Sequence, residues 1–237
     1  MYETQPMSDN YSVSVDLTNN HFSICRAAAS RASNHPEGSE DTLVAIVFGA
    51  AAFEAYIDQI RALCGINYPF SGEEEAKVTA LAEALVGIEK CNAQWNLKLQ
   101  LVSFILSGRK LDRGIQPWQD VDFLFKARNS IVHPSLTWNV QEYDPQELNF
   151  DKITRGFLDR GLIARPAAIK GLPGSAHEHS DLVPPPFDAL FSPQVAEWCV
   201  STVEQGIRGV INLATPVLSR KLHEVAERLI FCQSPPS

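Results

Sequence analysis

The chain predicts an all-α fold, an up-and-down bundle of about seven helices. Three observations lead there. Apolar residues recur at spacings of three and four along most of the chain; no segment sustains the alternation of a strand; and caps, glycines and prolines punctuate the periodic runs at short intervals. No repeat of fixed period is visible. With 237 residues, 45% of them hydrophobic and 20% charged, the composition is that of a globular protein able to bury a substantial core.

Residues 1–40 form a leader. Positions 1–17 carry no helical period, since Val13, Val15 and Leu17 merely alternate, and a modest helix follows over Thr18 to Ser33 with Phe22, Cys25 and Ala29 on one side. The breaker NHPEGSE ends it. The core spans residues 41–136. Its first helix, Asp41 to Cys64, has Ser39 or Asp41 as cap and Gly65 in the terminating position. It is apolar nearly all round as far as Ile57, as a central helix should be, and Glu54 is the only charge between Asp41 and Asp58. Next, Ser71 to Lys90 opens on three glutamates and closes on a lysine, which suits the helix dipole; its stripe is Val78, Leu81, Leu85 and Ile88. A fourth helix, Asn92 to Leu106, presents Trp95, Leu99, Val102 and Ile105 and stops at Gly108.

The loop GRKLDRGIQ, 108–116, is the densest basic segment of the chain, with Arg109, Lys110 and Arg113. Such a loop is ordinarily a solvated surface; as a group these cations, with Lys126, are the best candidates for phosphate contacts. A helix starting near Pro117 carries the apolar stripe Val121, Leu124, Phe125, Ile131 and Val132, with Arg128 in its middle. A guanidinium there asks for an acidic partner or an anion, because it stays protonated at any relevant pH. Residues 137–190 hold a helix from about Gln146 to Arg160, striped by Phe150, Ile153 and Phe157, then an irregular Pro/Gly-rich stretch, 163–187. Residues 191–232 hold two helices that pack on the core, each opened by a cap and a proline, at Ser192-Pro193 and Thr215-Pro216.

Composition and charge exclude several function classes. A net charge of −8 argues against a nucleic-acid binder that relies on overall positive potential, so any RNA contact must be a local patch. Five scattered cysteines without a C-x-x-C pair imply neither a disulfide framework nor a zinc cage, and fit reduced thiols in the cytoplasm. The acidic, polar start MYETQPMSDN has no secretory signal, and the longest apolar run, Leu43 to Ile57, falls short of the roughly 20 residues of a spanning helix, so no membrane association is expected. His177 and His179 flank Glu178 without an evident third metal ligand, and HEVAE at His223 lacks the second histidine of a zinc-protease helix. Neither a metal nor a cofactor is implied.

The segment ARNSIVHP, Ala127 to Pro134, is where chemistry concentrates: Arg128, Asn129 and then His133 at the end of a helix before a proline. This arrangement resembles the R-N-x-x-x-H signature of the HEPN superfamily, helical proteins many of which are endoribonucleases. The upstream AAFEAYIDQI is similar to the acid-bearing helix of some branches, which points to Glu54. The resemblance covers about Asp41 to Leu136. One branch carries a tyrosine two residues after the histidine; Ser135 stands there instead, so regulation by modification of that tyrosine is not implied.

Two readings of Glu54 stand side by side: it reaches the rim of the bundle, or it pairs with Arg128, each being otherwise an uncompensated charge at a helix interface. Cleaving RNA without a metal needs a base for the 2′ hydroxyl, an acid for the 5′ oxygen and positive charge on the phosphorane. One motif supplies too little, and the resemblance implies a homodimer whose two copies of His133 serve as base and acid, with Arg128 on the phosphate and Asn129 orienting it. Positions five apart lie about 140° round an ideal helix, so a shared cleft for Arg128 and His133 requires arginine's reach and a disturbed last turn before Pro134. The expected function is a metal-independent endoribonuclease in stress, toxin–antitoxin or antiviral defence, with RNA as substrate and a cognate antitoxin protein as partner. The alternative is a non-catalytic HEPN-like helical module that binds a protein or nucleotide, in which Arg128 and Glu54 are a structural pair.

Overall fold

The computed structural model describes residues 8–35, 39–64, 72–91, 94–132, 149–163, 192–214 and 220, with side chains from Leu17 and from Ile153 onward in the first and sixth helices. The described residues are all-α: α1 Ser8–Ser33, α2 Asp41–Cys64, α3 Glu73–Glu89, α4 Trp95–Ser107, α5 Trp118–Val132, α6 Asn149–Asp159 and α7 Pro193–Leu213. The expected helix opened by Thr215-Pro216 lies outside them, as do His177, His179 and the Pro/Gly-rich stretch from residue 164.

The bundle is organised around α2. It packs along α1 and α7 and also meets α3, α4 and α5. Its sequence dictates this position: Ala45, Ile46, Ala50, Ala52, Phe53, Tyr56, Ile57 and Ile60 are all at most 1% exposed and cover about half of its circumference, and the other half is partly covered. Small residues set the closest approaches. A Cβ on Gly49 would lie 3.4 Å from Cys25 Sγ of α1 and 3.8 Å from Cys199 Cβ of α7, so three backbones converge there. A Cβ on Gly206 of α7 would fall 2.7 Å from the Phe53 ring and 2.9 Å from Val121, which bring α2 and α5 onto α7. By length and composition α2 also suffices to cross a bilayer, further than its apolar run suggested; 56% of its most apolar window is buried inside the bundle.

α1 differs from expectation. It runs from Ser8, well before Thr18, as one 26-residue helix. Phe22, Cys25, Ala28, Ala29 and Ala32 are buried, so α1 belongs to the core rather than to a leader. The reason is cooperative: once the Thr18 to Ala32 portion is fixed against α2 and α7, extending a helix N-terminally adds a hydrogen bond per residue without a new nucleus. The alternation of Val13, Val15 and Leu17 concealed that continuity.

The caps follow from local chemistry. The Ser39 hydroxyl accepts from the Asp41 amide at 3.1 Å, and Arg31 donates two hydrogen bonds to Asp41, at 2.9 and 2.7 Å. α4 ends on Gly108 at φ 71°, a conformation that suits a residue without a side chain. The Ser192 hydroxyl accepts from the Val195 amide and donates to the Leu162 carbonyl at 2.8 Å, so one side chain both starts α7 and ties it to the turn that follows α6.

Two aromatic groups fill the gaps around α5. Trp95 and Phe125 stack with ring centroids 4.1 Å apart, and Phe53 meets both edge-on. On the other side Phe123, Phe157 and Trp198 form a mutual edge-to-face cluster. α5 is thus buried on two faces, one more than its stripe foretold.

Candidate functional site

α2 carries charges at Glu54, Asp58 and Arg61, and each meets a different helix. Glu54 accepts from Arg128 of α5, Asp58 from Lys98 of α4, and Arg61 donates to Glu89 of α3. Spacings of four and three put the three charges on one face, so a single polar edge of the central helix ties α5, α4 and α3 in turn.

At the Glu54 position the two readings of the sequence prove compatible. The Arg128 Nη2 donates to Glu54 Oε2 at 3.3 Å, and the side chains are 25% and 40% exposed, so the pair sits at the rim. The Arg128 guanidinium also lies over the Phe125 ring, 5.5 Å from its centroid. By azimuth Arg128 does fall on the apolar stripe of α5; by height it lies past the end of the core. Val121, Leu124, Phe125 and Ala127 are buried, Ile131 is only partly covered, and Val132 is 46% exposed. The expectation that the stripe runs buried to Val132 is therefore corrected: the last turn of α5 emerges from the bundle and carries the cation with it.

Asn129 is exposed, one residue along from Arg128. His133, which follows the last residue of α5, lies outside the described residues, as do Pro134 and Ser135. The structure accordingly brings together Glu54, Arg128 and the Phe125 face, with Asn129 beside them.

The basic candidates divide into two kinds. Arg113 and Lys126 both pair with Asp122, Lys126 at 2.8 Å, and Arg113 also lies 5.9 Å from the Trp95 ring centroid. Their charge is shared with one carboxylate. Arg109 and Lys110 are exposed, and neither side chain has an acidic partner among the described residues. The loop that bears them is held in place: Ser103 Oγ donates to the Arg109 carbonyl at 2.9 Å and Gln100 Nε2 to the Leu111 carbonyl at 3.2 Å. Asp122 was absent from the sequence-based candidates, although its spacing of four from Lys126 is a visible pairing signal.

A row of side chains connects the two regions. Arg113 faces Trp95, Trp95 stacks on Phe125, and Phe125 faces Arg128. The Trp95 and Phe125 rings are buried and supply a rigid apolar spacer between two cations.

The cysteines provide no second reactive centre among the described residues. Burial pushes the Cys25 and Cys64 thiols up to about 12 and holds Cys199 well above the ordinary range, so these remain protonated; Cys91 is exposed. No family model matches the sequence, and neither a curated protein nor a solved structure matches it.

Proposed function

We propose that the protein is a metal-independent endoribonuclease whose active site is completed by a second copy of the chain, acting in the cytoplasm in stress, toxin–antitoxin or antiviral defence. The observation that carries this reading is the state of Arg128. It is part-exposed at a helix end, held by one 3.3 Å bond and one ring face. A guanidinium has five N–H donors, so most remain for a phosphate.

In the proposed reaction His133 of one chain removes the proton from the 2′ hydroxyl, whose oxygen attacks the adjacent phosphorus. His133 of the other chain gives a proton to the departing 5′ oxygen. Arg128 offsets the charge that builds on the phosphorane, and Asn129 orients it. The products are a 2′,3′-cyclic phosphate and a 5′ hydroxyl. Phe125 and Glu54 keep the guanidinium from folding away, which lowers the ordering cost at the moment of binding.

The test is cleavage of single-stranded RNA in excess chelator by wild type and by His133→Ala, with sedimentation to confirm that both remain dimers. His133→Ala is expected to abolish cleavage; undiminished activity in that variant removes the histidine from the mechanism.

A second reading is favoured by one observation, the Glu54–Arg128 contact itself. In it the pair is a helix tie like Asp58–Lys98 and Arg61–Glu89, and the bundle is a non-catalytic module for a protein or nucleotide partner. That reading predicts no cleavage by wild type under any buffer condition.

A further inference from the structure

We infer that the surface between α4 and the 108–114 loop is a binding groove for single-stranded RNA, in which Phe104 stacks on a base and Arg109 and Lys110 hold phosphates; the inference rests on the nuclease reading and names the form of its substrate. The groove is lined by Leu97, Leu101 and Phe104 on the helix side and by Lys110 and Arg113 on the loop side.

Its apolar wall is unusual for a helix of this bundle. Leu97 is 47% exposed and Phe104 61%, the latter the most exposed large apolar side chain among the described residues. These positions, with Leu101, follow spacings of four and three, so they form a stripe on the side of α4 opposite to the buried Leu99, Val102 and Leu106. An exposed ring in a groove is costly unless something covers it, and an aromatic face suits any base.

Charge selects the occupant. On a chain of net charge −8, the loop gathers Arg109, Lys110 and Arg113 around one acid, Asp112, whose carboxylate is engaged by the Gly114 amide at 2.8 Å. Arg109 and Lys110 on this loop are exposed and have no acidic partner among the described residues, and the loop's backbone is pinned to α4 through Ser103 and Gln100. A fixed cationic rim over an apolar aromatic floor fits a strand that offers both phosphates and unstacked bases. A duplex hides its base faces and gains nothing from Phe104. Behind the groove wall Arg113 meets the buried Trp95–Phe125 stack, whose other side faces Arg128.

The experiment uses the full chain and a fluorescein-labelled 2′-O-methyl oligouridylate of about eight residues, which has no 2′ hydroxyl to attack and so reports binding without cleavage. Fluorescence anisotropy is expected to show binding that Phe104→Ala weakens about fivefold or more and Phe104→Trp preserves, while Phe104→Leu behaves like Phe104→Ala because the loss is of stacking. Replacing Arg109 and Lys110 together by Ala should flatten the dependence of log Kd on log salt by about 1.4. Lack of wild-type binding, an affinity unchanged by Phe104→Ala, or equal affinity for the matching duplex overturns the inference. So does a shift from dimer to monomer on Phe104→Ala, which makes the groove a subunit contact, or faster tryptic cleavage after Arg220 or Lys221 in that variant, which makes it the seat of the chain's own C-terminal segment. Cleavage of unmodified RNA is read separately. Cleavage retained by the Phe104→Ala variant with wild-type affinity removes the groove and leaves the nuclease; binding by a wild type that never cleaves removes the nuclease and leaves the groove.

Discussion

Removing Arg128 should cost little stability and all of the proposed activity, and the size of the first effect can be worked from the geometry. The Glu54 carboxylate is 40% exposed and the Arg128 side chain 25%, so both ends of the pair keep water when the other is deleted. An ion pair of this kind contributes about 0.2–1 kcal/mol. The Phe125 face adds about 0.5–1 kcal/mol at a part-exposed site. Arg128→Ala is therefore expected to destabilise by about 1–1.5 kcal/mol, a fall in Tm of roughly 2–6 °C for a chain of this size. The assay is a double-mutant cycle by calorimetry on wild type, Arg128→Ala, Glu54→Ala and the double variant, with coupling expected below about 1 kcal/mol. Stranding a truly buried carboxylate would instead cost about 3–5 kcal/mol, and the double variant would recover much of it. Coupling of that size would put the pair inside the bundle, consume the guanidinium in structure and refute the proposal that it is free to meet a phosphate.

Two further outcomes follow from the packing and the thiols. Gly206→Ala places a methyl group 2.7 Å from the fully buried Phe53 ring and 2.9 Å from Val121, so urea denaturation should show a loss of about 1–3 kcal/mol, with an unchanged value weighing against the close crossing of α2, α5 and α7. The folded state raises the thiols of Cys25 and Cys64 from 9.0 to about 12, so their contribution is intact below pH 9 and is lost as pH rises from 9 toward 12, where the unfolded chain releases the protons first; in a Cys232→Ser background at pH 8, a thiol reagent should label Cys91 quickly and the three buried cysteines only after unfolding, and rapid labelling of Cys199 would contradict its enclosure.

How far the residues announced this structure varies with the kind of signal. Where a period and a stop coincide, as in α3 with its glutamate opening or α4 with Trp95, Leu99 and Val102 before Gly108, local physics decides and the elements fall where the pattern puts them. The Ser192-Pro193 start of α7 is a second case, since the hydroxyl and the ring each do a job that few other residues do. The misjudged parts are those settled by partners. α1 is continuous because α2 and α7 hold its C-terminal half, a fact that Val13 and Val15 do not carry. Phe123 gave no sign of its burial because the cluster that encloses it, Phe157 and Trp198, comes from α6 and α7. For the candidate site, types and spacing single out Arg128 and Asn129, whereas the depth of Arg128 depends on where the core ends along α5, a property of the helices packed around it.

That dependence also bears on the two roles open to Arg128. Along the polar edge of α2, Asp58 and Arg61 have partners on α4 and α3, where those helices lie against the bundle. Glu54 meets a side chain on a helix turn that is already leaving it, and one hydrogen bond at 3.3 Å is the result. A tie is effective when it closes an interface that apolar packing has already made; here full burial ends at Ala127, Ile131 is partly covered and Val132 is 46% exposed. The pair therefore adds little to the docking of α5, yet it fixes the direction of a cation at the edge of the protein. In the proposed nuclease Glu54 acts as an orienting neighbour whose charge is offset by Arg128 in the free protein, and an approaching phosphate would meet a guanidinium already held over the Phe125 ring. Such an arrangement leaves the unused edge of the guanidinium open to a bidentate anion, a phosphate or a carboxylate, while Glu54 stays in place.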